Sequence, residues 1–180
     1  TGNGLGQIAP VRILELPFLY RNEREIDFVT ERMGPQMAAL LEKGNPSSVL
    51  LGWAEAGFVY IYSNKPIRKL EDLRGTKVWQ WEGDPLASAT FGALGVQPVP
   101  LALPEVMTGL STHMIEAVYA PPLGCLALQW CSKVKYMTDL PIVNSIGALI
   151  MLKSEFDRLP PDQKKVLREV LDDLQKTYVD

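Results

Sequence analysis

Apolar Ile26, Val29, Met33, Met37, Leu40 and Leu41 recur at three- and four-residue spacings through residues 23–43, which predicts an amphipathic helix. Gly34 and Pro35 fall inside it and are expected to bend or interrupt it, because proline brings no N–H. Residues 48–53 and 58–62 are rich in strand-forming side chains and read as two strands joined at 54–57. Beyond residue 69 the pattern becomes regular. A short helix closed by Gly75 leads into a strand over 77–81. Asp84 as N-cap and Pro85 at the first helical position then open a helix that stops at Gly95. A strand over 96–101, a helix from Pro104 to about Ser111 and a strand over 115–119 follow. A helix from Pro122 to about Cys131 and a strand over 146–152 come next. The last helix, 161–178, carries Leu167, Val170, Leu171, Leu174 and Tyr178 along one face. Three strand–helix units in succession predict a parallel sheet covered by helices, an α/β fold.

Open α/β sheets bind ligands beyond the carboxyl ends of their strands, near helix N-termini. The first such end reads Lys77-Val-Trp-Gln-Trp-Glu-Gly-Asp-Pro85. Alternation points Trp79 and Trp81 to one side and Gln80 to the other. Both tryptophans suit a ligand pocket and equally suit a packed core, and Asp84 suits a cap as well as a ligand contact. A second end, Tyr119-Ala-Pro-Pro122, offers a tyrosine before a proline-opened helix, and Pro121 shares its position. Glu82 and Asp84 resemble the paired carboxylates of a hydrolase, but no nucleophile or second base lies nearby in the sequence. Binding without catalysis is the expectation.

Composition narrows the choice further. The 180 residues are 47% hydrophobic and 22% charged, with net charge −3, as in an ordinary globular protein. No basic run is present to neutralise a phosphate backbone, so no nucleic-acid partner is expected. The longest uncharged stretches, 85–104 and 117–132, are broken by glycines and prolines, and neither reads as a bilayer span. One histidine, His113, and two cysteines exclude a multi-histidine metal site or a zinc ribbon, and no cofactor is implied. His113 reads as a solvated helix end. Cys125 and Cys131 fall on different faces of one predicted helix, so two buried thiols are expected and a disulfide is not. The chain opens on Thr1 without leader-like features, which reads as an internal or processed piece.

Several segments then resemble one family in its own order. They are Val49-Leu-Leu-Gly-Trp-Ala-Glu-Ala-Gly57, Ser63-Asn-Lys-Pro-Ile67, Leu70-Glu-Asp-Leu-Arg-Gly-Thr-Lys-Val78 and Ala93-Leu-Gly-Val-Gln-Pro-Val-Pro100. Pro104-Glu-Val-Met-Thr-Gly-Leu110, Ile115-Glu-Ala-Val-Tyr-Ala-Pro121 and Leu159-Pro-Pro-Asp-Gln-Lys-Lys165 continue the series. Gly4-Leu-Gly and Leu14-Glu-Leu-Pro-Phe-Leu-Tyr20 extend it to the start. Together they resemble the DctP-type solute receptors of TRAP transporters, over nearly the whole chain.

The resemblance implies a two-lobed periplasmic-binding-protein-like fold, with residues 1–52 and 145–180 in a partial first lobe and 53–144 in a complete second lobe. It implies a periplasmic receptor that delivers a small organic anion to a membrane permease. This sequence departs from the family at the ligand. Val59, Trp79 and Ala120 stand where the family carries two arginines and an asparagine. A plain dicarboxylate is therefore expected to lack a cationic partner. An aromatic or apolar acid is expected instead, held by Trp79, Trp81, Tyr119, Val59 and Pro121, with polarity from Glu82, Asp84 and the helix N-termini at Pro85 and Pro122. A partial first lobe would leave apolar faces uncovered, so a homodimer through it is also expected. A small-molecule-sensing regulatory domain or an enzyme on the same fold stays open as an alternative.

Overall fold

The computed structural model describes residues 9–177. Its backbone is one long strand, β1 (Ser48–Ser63), which changes partners along its length. From Ser48 to Val59 it pairs antiparallel with β6 (Val143–Leu152). From Tyr60 to Ser63 it pairs with β4 (Ala117–Ala120), and at Tyr62 and Ser63 also with β5 (Tyr136–Met137). The two strands expected here are thus one. Residues 54–57 form no turn: the register slips between Glu55 and Gly57, and Gly57 takes φ +86°, a bulge that only glycine accepts cheaply.

Helix α1 (Glu23–Gly44) is capped by Asn22, whose side chain accepts the Glu25 N–H at 3.1 Å. It runs unbroken through Pro35, contrary to the expected interruption. Met37 and Leu41 pack with Leu14 and Ile146. A Cβ on the buried Gly34 would stand 3.8 Å from Trp53 Nε1, so the helix lies close on β1 there. Burial of that face outweighs the one hydrogen bond lost at the proline.

The remaining elements build a second layer system. Helix α2 (Leu70–Arg74) precedes β2 (Trp79–Trp81), and α3 (Pro85–Leu94) leads to β3 (Val99–Leu101). Helix α4 (Val106–Ser111) precedes β4, and α5 (Pro122–Ala127) follows it. β2 and β3 are parallel, and Val78 bridges Ala117 of β4 in parallel too. The three strands expected to be parallel are so, and β1 adds an antiparallel neighbour beyond β4. Ile61, Ile67, Leu73, Val78, Phe91, Val96 and Ala117 form one core on it. Trp79, Val106, Leu110, Ile115, Val118 and Trp130 form a second.

The expected long helix over 122–131 ends at Ala127 instead. Gln129 takes the left-handed conformation and starts a 3-10 turn at Trp130–Ser132. That reversal brings the Cys125 and Cys131 Cα atoms to 5.5 Å, and the two cysteines form a disulfide. The expectation of two free thiols is corrected: helical geometry separates the side chains, and the broken helix does not.

β6 leads into α6 (Lys153–Arg158) and α7 (Pro161–Thr177). Leu167 and Leu171 of α7 are half-buried, but Val170 is exposed, which narrows the apolar face read from the sequence. Tyr178 and the Gly4-Leu-Gly segment lie outside the described residues. Among the described residues no helix is long and apolar enough to cross a membrane, and no acidic, histidine or cysteine group is arranged to hold a metal ion. His113 ends α4 exposed, with φ +57°, as expected of a solvated helix terminus.

Candidate functional site

A cleft of about 690 Å³ opens between the 3-10 turn at Ala9–Glu15, the upper part of β1, the ends of β2 and β4, and helices α3 and α5. Its wall is dominated by apolar side chains, among them Val59, Ile61, Phe91, Leu123 and Ile142. Both β-strand ends singled out in the sequence reach it, through Trp79, Trp81, Asp84, Tyr119, Ala120 and Pro121.

The aromatic side chains form one packed group. The Trp79 ring stacks on Tyr119 at 5.0 Å, meets Trp130 edge-on at 5.2 Å and lies 5.9 Å from Trp81. Trp79 is only 2% exposed, and its indole N–H donates to the Leu101 carbonyl at 3.0 Å. It props the wall from behind. Trp81 is half-buried and is the tryptophan with surface to offer. The Tyr119 hydroxyl accepts the Trp81 N–H at 3.1 Å, which fixes the strand end. Burial pushes the Tyr119 phenol up to about 12, so it stays protonated across the physiological range. Gln80 points away, donating to Ser88 Oγ at 2.6 Å, as alternation required.

One corner of the cleft is polar. Arg12 reaches in from the 3-10 turn and its Nη1 donates to Asp84 Oδ1 at 2.9 Å. Its Nε lies 3.2 Å from Glu15 Oε2, close enough for an ion pair but poorly aimed for a hydrogen bond. Asn144 of β6, 1% exposed, also lines the cleft. Desolvation raises the Glu15 carboxyl above its ordinary 4.5, against the pull of the Arg12 charge.

That shift sets a pH dependence. The folded state holds the Glu15 proton more tightly than the unfolded chain does. Stability therefore falls as pH rises from about 4.5 through the higher folded value, and the cost is complete above it. Glu15→Gln is expected to melt higher than the parent at about pH 8, with the gain shrinking below about pH 4. Thermal melts across that range check it; a gain that grows toward acid pH contradicts it.

Asp84 serves α3 as well as Arg12, accepting the Leu86 N–H at 3.0 Å and the Ala87 N–H at 3.3 Å. The N-terminus of α3 is therefore already occupied by the protein's own carboxylate. It is not open to a ligand anion, as the sequence had suggested. Glu82 is exposed and does not line the cleft. The cleft is also not without cations, contrary to expectation: Arg12 lies inside it, and Arg68 and Lys69 line it from exposed positions. Arg12 and Asn144 were missed because each sits far along the chain from the strand ends. Only the antiparallel β1–β6 ladder and the packing of the 3-10 turn on it bring them in.

Paired α/β units around an apolar cleft with a polar corner form a concave site of small-molecule size. The chain belongs to the bacterial extracellular solute-binding protein family 7, the DctP family, whose model matches residues 4–180. It is similar to the 2,3-diketo-L-gulonate-binding periplasmic protein of Escherichia coli, at 28% identity over 92% of this chain and 50% of that protein. A Bordetella pertussis extracytoplasmic solute receptor binding pyroglutamic acid matches at 26% identity and TM-score 0.82, over 94% of this chain and 56% of that one. A TRAP periplasmic solute-binding protein of Polaromonas, bound to D-erythronate, shares the fold at 23% identity and TM-score 0.86, over 96% and 57%. The chain spans about half the length of the proteins it matches.

Proposed function

We propose that this chain is the ligand-holding part of an extracytoplasmic solute receptor, capturing an organic acid with a large aromatic or apolar body for a TRAP-type permease. The observation that carries this reading is the cleft itself. Its 690 Å³ falls in the range of small-molecule sites, and its wall is mostly aromatic and aliphatic, with Arg12, Glu15 and Asp84 at one corner and Arg68 and Lys69 exposed on it. Trp81, Tyr119, Val59 and Pro121 supply the contact surface, and Trp79 holds Trp81 and Tyr119 in place. Asp84 contributes through the polar corner. Glu82, exposed and outside the cleft wall, is expected to contribute least. The E. coli and Bordetella relatives are named for carboxylic acids, which supports an acid here, and exposed Arg68 and Lys69 are placed to meet its charge.

Residues 1–52 and 145–180 are assigned to one lobe and 53–144 to the other, with β1 and β6 as the strands between them. Function on this reading is affinity coupled to lobe closure, with no turnover. A periplasmic setting agrees with the relatives' names and with the Cys125–Cys131 disulfide, which persists in oxidising compartments. Exposed Leu149, Ile150 and Leu152 on β6 and Val166 and Val170 on α7 favour pairing of two copies of this chain. Native mass spectrometry of the chain, purified without denaturation, is expected to show a retained acid rich in carbon and hydrogen. Retention of a compact sugar acid instead overturns the apolar-body reading.

A further inference from the structure

The ion pair of Arg12 with Asp84 joins two parts of the chain that are otherwise anchored separately. Arg12 belongs to the 3-10 turn at Ala9–Glu15, whose Leu14 packs with Met37 and Leu41 of α1 and with Ile146 of β6. The turn is therefore fixed to the set of residues 1–52 and 145–180. Asp84 is fixed to the other set, 53–144: its backbone N–H donates to the Trp81 carbonyl at 3.2 Å, and its carboxylate caps α3. Arg12 Nη1 donates to Asp84 Oδ1 at 2.9 Å between the two sets, and both residues line the cleft.

Each partner also has a second contact on its own side. Arg12 Nε lies 3.2 Å from Glu15 Oε2, within the same turn. Asp84 Oδ1 accepts the Leu86 and Ala87 N–H groups at 3.0 and 3.3 Å, within its own helix start. Breaking a buried ion pair is costly chiefly because it leaves a charge uncompensated. Here the guanidinium keeps a carboxylate, and Asp84 keeps two N–H donors at the positive end of α3. The bond between the two sets can therefore open and re-form without stranding either charge.

We propose that Arg12 and Asp84 form a clasp that holds the cleft shut when it is empty, with Glu15 as the resting partner that Arg12 keeps when the cleft opens. The proposal rests on the lobe assignment above and adds what governs opening. A contact made in the closed state and absent from the open one shifts that equilibrium toward closure.

Spin labels on Lys43→Cys of α1 and on Gln97→Cys, both exposed and one in each set, report lobe separation by pulsed electron–electron resonance with the native disulfide left oxidised. The empty 180-residue chain is expected to give one narrow distance population. Asp84→Asn keeps a good helix cap and removes the charge. It and Arg12→Met are each expected to raise the fraction in a second, more separated population about tenfold. Glu15→Gln is expected to leave the distribution narrow, because the bond between the sets remains; a corner that is merely loosened broadens in this variant too. If one variant does not fold, the other and the empty parent decide. Two populations in the empty parent, broadening in Glu15→Gln, or folded Asp84→Asn and Arg12→Met variants that match the parent, overturn the clasp. If 3-phenylpropionate still shifts the distance in those matching variants, the lobe assignment survives that failure; if nothing shifts it, both fall. Widening in Asp84→Asn and Arg12→Met supports the clasp even where the parent binds no 3-phenylpropionate, a failure that counts against the receptor reading alone.

Discussion

Trp79→Ala is expected to cost about 3–5 kcal/mol of folding stability, more than any other single truncation in the cleft wall. Three aromatic rings rest on Trp79, and the indole N–H holds the Leu101 carbonyl of the neighbouring parallel strand. Removing it opens a cavity behind Trp81 and Tyr119 and takes from the Leu101 carbonyl the shorter of two donors, leaving the Glu82 N–H at 3.4 Å. The loss belongs to the fold and reaches the ligand only second-hand. Urea unfolding reads it directly as a shifted midpoint, and a variant that melts like the parent while losing ligand would show that Trp79 contacts ligand instead.

Arg12→Met is expected to cost about 2–3 kcal/mol at neutral pH, because it strands two carboxylates that share one cation. The Arg12 and Asp84 side chains are 11% and 12% exposed, so some solvent screening remains and the cost stays below that of a fully buried pair. Methionine keeps the apolar stem, which isolates the charge. Lowering the pH should rescue the variant, as protonating Glu15 removes one of the stranded charges. Denaturant titrations at about pH 7 and pH 5 test both parts. A loss that is equal at the two values contradicts the account.

The parts of this fold written in local chemistry were legible before any coordinates. Asp84 and Pro85 announced the start of α3 because capping is a property of adjacent residues. Trp79, Gln80 and Trp81 sorted to opposite sides because strand alternation needs no tertiary information. The location of the cleft at the β2 and β4 ends followed from fold class alone. The misses came from long-range effects. A bulge at Gly57 merged two expected strands, and packing under Gly34 carried α1 past Pro35. A left-handed Gln129 folded the predicted helix back and joined Cys125 to Cys131. The partner of Asp84 was hidden for the same reason: Arg12 lies 72 positions away in the chain.

Calorimetric titration of 3-phenylpropionate against succinate, on the parent chain and on Trp81→Ala, tests most directly that this cleft selects an apolar-bodied acid. Trp81 is the cleft tryptophan with exposed surface, so its truncation removes ligand contact without opening the core beneath. The account predicts that 3-phenylpropionate binds at least about tenfold more tightly than succinate. It predicts that Trp81→Ala weakens 3-phenylpropionate by about tenfold, close to 1.4 kcal/mol, and leaves succinate where it was. Tight succinate binding that is indifferent to Trp81 would contradict it.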